Sequence, residues 1–374
     1  FGWFADKRYH VLQSEVELPS SKKKVTTYVM FTNRHAEYWK NASQYINDAV
    51  YYYSLWIGDY PYNYCTAVDG ALSAGGGMEY PMVTVIGSVG DNKSLDLVIT
   101  HEVGHNWFYG ALASNERDHP WMDEGINSYY EQLYMAKARK SDPASQNSRL
   151  SNQLEKILGQ SLNEDSLMNL LFDVACFDHN DQPIHTKSEE FTSFNYGVIA
   201  YMKTARAMGF LYDYLGEELA TKCMHNYYNE WKFRHPQPAD IQSSFEKTSS
   251  MDLDWFFKDL LSTNNPLRIC ITATEIDKQI KIERKKGPKT PLEIAGHNGE
   301  NLWIPPFDKD TTINLSSITF PVSVNSDYSS LLKQNDLRVG ISGNRILPKP
   351  HVRLFASLTD KPNGYNVTIL PAVG

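Results

Sequence analysis

Two histidines four residues apart, in His101-Glu102-Val103-Gly104-His105, are followed after eighteen intervening residues by Glu124. No other feature constrains the chain as much. On a helix, residues four apart share a face, so both imidazoles can point at one ion. Glu102 lies between them in sequence and can face a water at that ion. A carboxylate from a second helix completes a His₂Glu zinc site with an open fourth position. That is the catalytic arrangement rather than the structural one. The bland alternative, two core histidines and an ordinary first-turn acid, leaves the spacing a coincidence.

The residues around the motif predict a mostly buried helix. Ser94 suits an N-cap, and Leu97, Val98, Trp107 and Phe108 supply apolar positions. Gly104, inside this helix, costs about 1 kcal/mol relative to Ala. Close approach by a packed neighbour or by substrate would account for it. Gly110 is the expected stop. A second helix opens at Pro120-Trp121-Met122-Asp123-Glu124 and runs through Tyr129, Tyr130, Leu133 and Met135. Ser128 and Glu131 share the face of Glu124 and are candidates to hydrogen-bond the ligands.

Upstream, Gly75-Gly76-Gly77 permits unusual backbone conformations and close ligand approach. Met78 to Ile86 alternates like a strand but contains Pro81, which predicts an edge strand. An edge strand beside a metal can receive an extended peptide by backbone pairing.

The spacing, with Trp121-Met122-Asp123-Glu124-Gly125 around the last ligand, resembles the aminopeptidase N and leukotriene hydrolase family of zinc peptidases, the gluzincins. Gly76-Gly77-Met78-Glu79-Tyr80 resembles that family's Gly-Ala-Met-Glu-Asn exopeptidase signature, with Tyr80 in place of Asn. Tyr201-Met202-Lys203-Thr204-Ala205 resembles its Tyr-x-Lys-Gly-Ala segment, with Thr204 in place of Gly. The landmarks stand in family order over about residues 1 to 262.

The resemblance implies one zinc ion held by His101, His105 and Glu124, with Glu102 as the base. It also implies that Tyr201 donates to the oxyanion, Tyr196 being its nearest rival. Glu79 would face the free α-ammonium of a peptide, a charge-assisted contact, with Gly76, Gly77 and Met78 beside the substrate. The implied activity is removal of N-terminal residues from peptides. A zinc endopeptidase of the same fold and a silent peptide-binding scaffold are the alternatives.

At 374 residues the chain is too long for one ordinary domain. A net charge of −8 argues against nucleic acid as a partner, because neutralising phosphates needs clustered Lys and Arg. No apolar run reaches the roughly 18 residues of a membrane span. Cys65, Cys176, Cys223 and Cys270 are widely spaced, without a Cys-x-x-Cys pair, so they form neither a zinc knuckle nor a dense disulfide framework.

The expected fold is α+β: a thermolysin-like catalytic domain over 21–262, with a small mixed sheet and a helical lobe, then an antiparallel β-sandwich over 266–350. Residues 34–57 predict one long helix, Tyr64 to Val68 a strand, and Glu131 to Leu261 mainly helix. Residues 1–20 read as the end of a preceding β domain, and 351–374 as the start of a further segment. In the family, the preceding domain usually supplies a second residue to the amine pocket, expected to be missing here. A multi-domain, β-rich parent tilts the reading toward an exported or cell-envelope protein.

Overall fold

The computed structural model describes residues 2–72, 76–139, 181–274, 279–296, 298–308 and 310–318, with short stretches beyond to 369. Cys176 and residues 140–180 of the expected helical stretch lie outside the described residues. Two compact units result. The first comprises Phe1–Ser145, His185–Phe191 and Ala200–Asp252; the second comprises Gln146–Ile184, Thr192–Ile199 and Leu253–Gly374.

The first unit is the expected mixture of a mixed sheet and helices. Strands β1 (His10–Glu17) and β2 (Lys24–Phe31) pair antiparallel along their whole length. Alternation in β2 turns Val25, Thr27, Val29 and Phe31 inward. The strand read as closing a preceding β domain is thus hydrogen-bonded into this sheet. Strand β3 (Tyr64–Asp69) adds parallel to β2, confirming the expectation there.

The long helix expected over 34–57 is two helices, α1 (Ala36–Trp39) and α2 (Ala42–Trp56). Asn41 sits at φ −96°, ψ −6°, off the helical minimum, and interrupts the ladder there. Helix α2 buries Ile46, Ala49, Val50 and Tyr53.

Met78 to Ile86 is not one edge strand. It is a hairpin of β4 (Gly77–Met78) and β5 (Val83–Ile86), giving the sheet order β1-β2-β3-β5-β4. Pro81 lies in the turn. Met82 takes φ 66°, and the Val83 amide donates to the Tyr80 carbonyl at 3.0 Å. The proline that was read as marking an edge strand reverses the chain instead. Of these two strands, β4 lies at an edge of the sheet and β5 lies inside it.

Helix α3 (Asn92–His105) carries the motif and is buried on most faces. Its N-cap is Asp91, not Ser94: Asp91 accepts from the Ser94 amide at 2.9 Å and from the Ser94 hydroxyl at 2.6 Å. The helix does not stop at Gly110. A wide π-helical stretch, Asn106–Leu112, continues it until Ala113 turns left-handed at φ 49°. The chain returns through a π-helical turn, Trp121–Gly125, into α4 (Ile126–Ala138).

Tyr196–Lys203 is again π-helical and leads into α5 (Thr204–Leu215). Helices α6 (Glu217–Trp231) and α7 (Pro238–Ser249) complete the helical part of this unit. An aromatic core joins the helices. Trp107 packs on Tyr53 and Tyr60, and Tyr130 on Trp56 and Phe108, with ring centroids 5.2–6.3 Å apart.

In the second unit, β6 (Arg268–Thr274), β7 (Gln279–Lys286) and β10 (Thr311–Asn314) pair antiparallel. A separate sheet is formed by β8 (Leu292–Ala295), β9 (Asn301–Ile304) and β11 (Ser323–Val324). One pair departs from an all-antiparallel expectation, because β12 (Arg338–Ile341) runs parallel to β6.

Candidate metal centre

Three elements bring the site together. His101 and His105 stand one turn apart on α3, with ring centroids 4.8 Å apart. Glu124, Asn127 and Glu131 recur at three- and four-residue steps from the Trp121–Gly125 turn into α4, so they face α3 together. Asn127 locks the two helices: its amide donates to the His101 carbonyl at 2.8 Å, and its oxygen accepts from Tyr53 at 3.0 Å. Gly104 allows this approach. A Cβ there would collide with the Asn127 carboxamide and the Tyr53 ring, so a packed neighbour explains this glycine.

The donor atoms converge. His101 Nε2 and His105 Nε2 stand 3.1 Å apart, and each lies 3.3 Å from Glu124 Oε2. Bonds of about 2.0–2.2 Å to a tetrahedral ion imply ligand–ligand edges of about 3.3–3.6 Å. The observed triangle matches that edge closely.

The far nitrogens are held as well. His101 Nδ1 donates to Glu131 Oε2 at 2.7 Å, and His105 Nδ1 donates to Asp123 Oδ1 at 2.6 Å. Carboxylates can only accept here, so each Nδ1 carries a hydrogen, and a cation taking the shared point would displace the hydrogen of each Nε2. Glu131 fulfils the expectation placed on it; Asp123, rather than Ser128, serves His105.

Electrostatics at this point favour a cation. Burial works against charge on His101, but Glu124 and Glu131 outweigh it and raise the imidazole to about 10. His105 is likewise raised well above the imidazole range, Asp123 and Glu124 overcoming its burial. Glu124 is buried too, yet the two imidazoles pull it well below the usual carboxylate range. Two imidazoles and one carboxylate at tetrahedral spacing fit zinc in both ligand type and geometry.

Glu102, only 6% exposed, is pushed up to about 7: burial raises it, His101 and His105 pull it down, and Glu79 and Glu124 add to the rise. Its Oε2 is buried with no hydrogen-bond partner among the described residues. Gly77 explains how the edge strand reaches this carboxylate. A Cβ at Gly77 would overlap the Glu102 carboxyl group, so strand and carboxylate are in direct contact. Gly76, at φ 66°, needs its glycine for the turn rather than for space.

Met78 pairs with Val85, and its carbonyl accepts from the Thr84 hydroxyl at 3.1 Å. Glu79 follows, partly buried, within electrostatic reach of the cluster. Burial raises its carboxyl group, His105 opposes this, and Asp123 and Glu124 add to it. Tyr201 stacks on His101 with ring centroids 6.0 Å apart and planes 21° from parallel.

Asp123 and Asn127 escaped sequence reasoning. Neither sits at a recognised ligand spacing, although both flank Glu124 within three residues. Asn106 was missed too. Its oxygen accepts from the Met82 amide at 2.8 Å and from Tyr60 at 3.2 Å, tying the hairpin turn to the metal helix.

Comparison with known proteins agrees with this geometry. The model of the Peptidase family M1 domain matches residues 57–260. The chain is 23% identical to glutamyl aminopeptidase of Rattus norvegicus over 249 residues, covering 65% of this chain and 25% of that protein. Against aminopeptidase N of Streptomyces lividans, identity is 26% over 206 residues, covering 54% and 22%. Against glutamyl aminopeptidase of Sus scrofa it is 23% over 354 residues, covering 88% and 36%. The chain therefore spans between about a fifth and about a third of the length of these relatives. With the family domain matched across more than half its residues, around a His-His-Glu cluster, the chain belongs to peptidase family M1.

Proposed function

We propose that this chain is the catalytic part of a zinc aminopeptidase that hydrolyses the N-terminal bond of peptides with a free amine. The carrying observation is the 3.1–3.3 Å triangle of His101, His105 and Glu124, with the Glu102 carboxylate buried beside it. The aminopeptidase names of the relatives support the same class. We place the catalytic lobe at 21–262 and read the strands of 266–350 as a β-sandwich.

His101, His105 and Glu124 would hold the zinc, which would lower the pKa of a bound water to about 7 and polarise the scissile carbonyl. Glu102 takes the proton of the attacking water and passes it to the leaving amine. The Tyr201 hydroxyl donates to the developing oxyanion. The peptide lies along β4, the edge of the sheet, where its backbone can pair. Glu79, directly after β4, takes the α-ammonium and so sets the cleavage point one residue from the free end.

Metal analysis combined with a panel of aminoacyl-anilides and N-acetylated peptides tests this reading. The expected result is one equivalent of zinc, with anilide cleavage lost on chelation and restored by zinc. A chain that takes up no stoichiometric zinc would overturn the metal site. Cleavage of N-acetylated peptides as fast as free ones would make it an endopeptidase.

A further inference from the structure

Ser88, His35 and Asp69 form a second hydrogen-bonded chain that shares no residue with the metal centre. The Ser88 hydroxyl lies 3.2 Å from His35 Nε2, and His35 Nδ1 lies 2.8 Å from Asp69 Oδ1. The other Asp69 oxygen accepts from the Thr32 amide at 3.1 Å and the Thr32 hydroxyl at 3.0 Å. That carboxylate is therefore pinned, and His35 Nδ1 must be the donor to it. The tautomer follows: the Nε2 lone pair faces Ser88 and accepts its hydroxyl hydrogen. The imidazole and carboxylate are 14% and 6% exposed, whereas Ser88 is exposed. Base and orienting group are sheltered while the hydroxyl is open to solvent.

Ser88 follows β5 and precedes α3 in Gly87-Ser88-Val89-Gly90. Gly90, two residues on, has no side chain, and a Cβ there would meet nothing within 4 Å. A hydroxyl within reach of a base that a third group orients is the arrangement that activates a serine, and it is recognised by geometry rather than by sequence position.

We propose that Ser88 is an activated nucleophile, with His35 as its base and Asp69 as the positioning residue, acting on small activated carboxylic esters. Ser88 Oγ bonds to the ester carbonyl carbon as its proton passes to His35 Nε2. The carbon–oxygen bond to the leaving alcohol breaks, and His35 returns the proton to that alcohol. Water, deprotonated by His35, then releases the acid and restores the serine, so ester plus water gives acid plus alcohol.

The test uses the whole chain with zinc removed by a chelator, so that the metal centre contributes no ester hydrolysis. It is treated with a fluorophosphonate probe, which loses fluoride as the serine–phosphorus bond forms, and separately with p-nitrophenyl acetate. Peptide mass analysis should place the phosphonyl group on Ser88. Ester turnover should vanish in Ser88→Ala and fall about 10²-fold or more in His35→Gln. Zinc uptake by Ser88→Ala should match that of the parent chain. The proposal is overturned if the native chain labels no faster than the heat-denatured one, if the label lands elsewhere, or if Ser88→Ala keeps the ester turnover. Each of those results makes the triad only a tie between its loop and the β2–α1 connection.

Discussion

The Asp123 carboxylate accepts the Nδ1–H of His105 at 2.6 Å, in a pocket where both side chains are at most 2% exposed. Glu131 does the same for His101 at 2.7 Å. Such partners fix the ring and strengthen the opposite nitrogen as a ligand, and their loss typically lowers metal affinity about 10–100-fold. Asp123→Ala and Glu131→Gln should each weaken zinc binding by about that factor, measured by competition with a fluorescent chelator. Unchanged affinity in both would show that the rings need no such support.

Gly77 leaves room for Glu102. Gly77→Ala pushes a methyl group into the Glu102 carboxyl, the group nearest to it. Misplacing a catalytic group by about 1 Å can cost about 10²-fold in rate. The variant should keep its zinc and lose about that much kcat on an aminoacyl-anilide. Full activity would mean that the carboxylate tolerates displacement.

Glu102→Gln should retain zinc and lose about 10²–10⁴-fold in kcat, the usual contribution of a positioned base. Tyr201→Phe should lower kcat by about 10²–10³-fold with little change in KM. If Tyr201→Phe is silent, Tyr196→Phe is the variant to measure next.

Glu79 gives a pH signature with a definite sign. Burial raises its carboxyl above the ordinary 4.5. The folded chain therefore holds this proton more tightly than the unfolded chain does. Its contribution to stability is full below the ordinary value and is lost as pH rises through the raised value. Glu79→Gln in the zinc-free chain should accordingly melt higher than the parent at pH 7 and converge with it in acid. Function runs the opposite way: KM for free-amine substrates should climb as pH falls through the raised value, because a neutral carboxyl no longer attracts the ammonium. Thermal melts and a KM–pH profile check both halves.

Asp91 anchors the start of α3 through the Ser94 amide and hydroxyl. Burial opposes its ionisation, but these bonds win and hold the carboxyl below the ordinary range. Asp91→Ala should cost about 1 kcal/mol in urea unfolding, more than Ser94→Ala. The cap's contribution is present above the ordinary aspartate value and fades as pH falls through the lowered one.

The pairing of His101 and His105 was legible because a helical period of 3.6 makes them neighbours on paper. Glu131 followed from the same period, counted from Glu124. Asp123 was not legible. On a regular helix it points about 100° away from Glu124, and here the two carboxylates meet opposite nitrogens of the His105 ring. The hairpin at Pro81 was misread because alternation either side of it is continuous, whereas the reversal depends on the left-handed Met82. Ser94 was taken for the cap since serine is favoured there. Asp91, three residues earlier, satisfies the same amide with a charge.

The π-helical stretches Asn106–Leu112 and Trp121–Gly125 set the rotational phase of everything that follows them. Deleting one residue from the second would spin α4 by roughly 100° against α3. Glu131 and Asn127 would swing off the imidazoles although every motif letter stayed in place. A reader scanning only for the motif would still find it in such a chain, and the donor cluster would be gone.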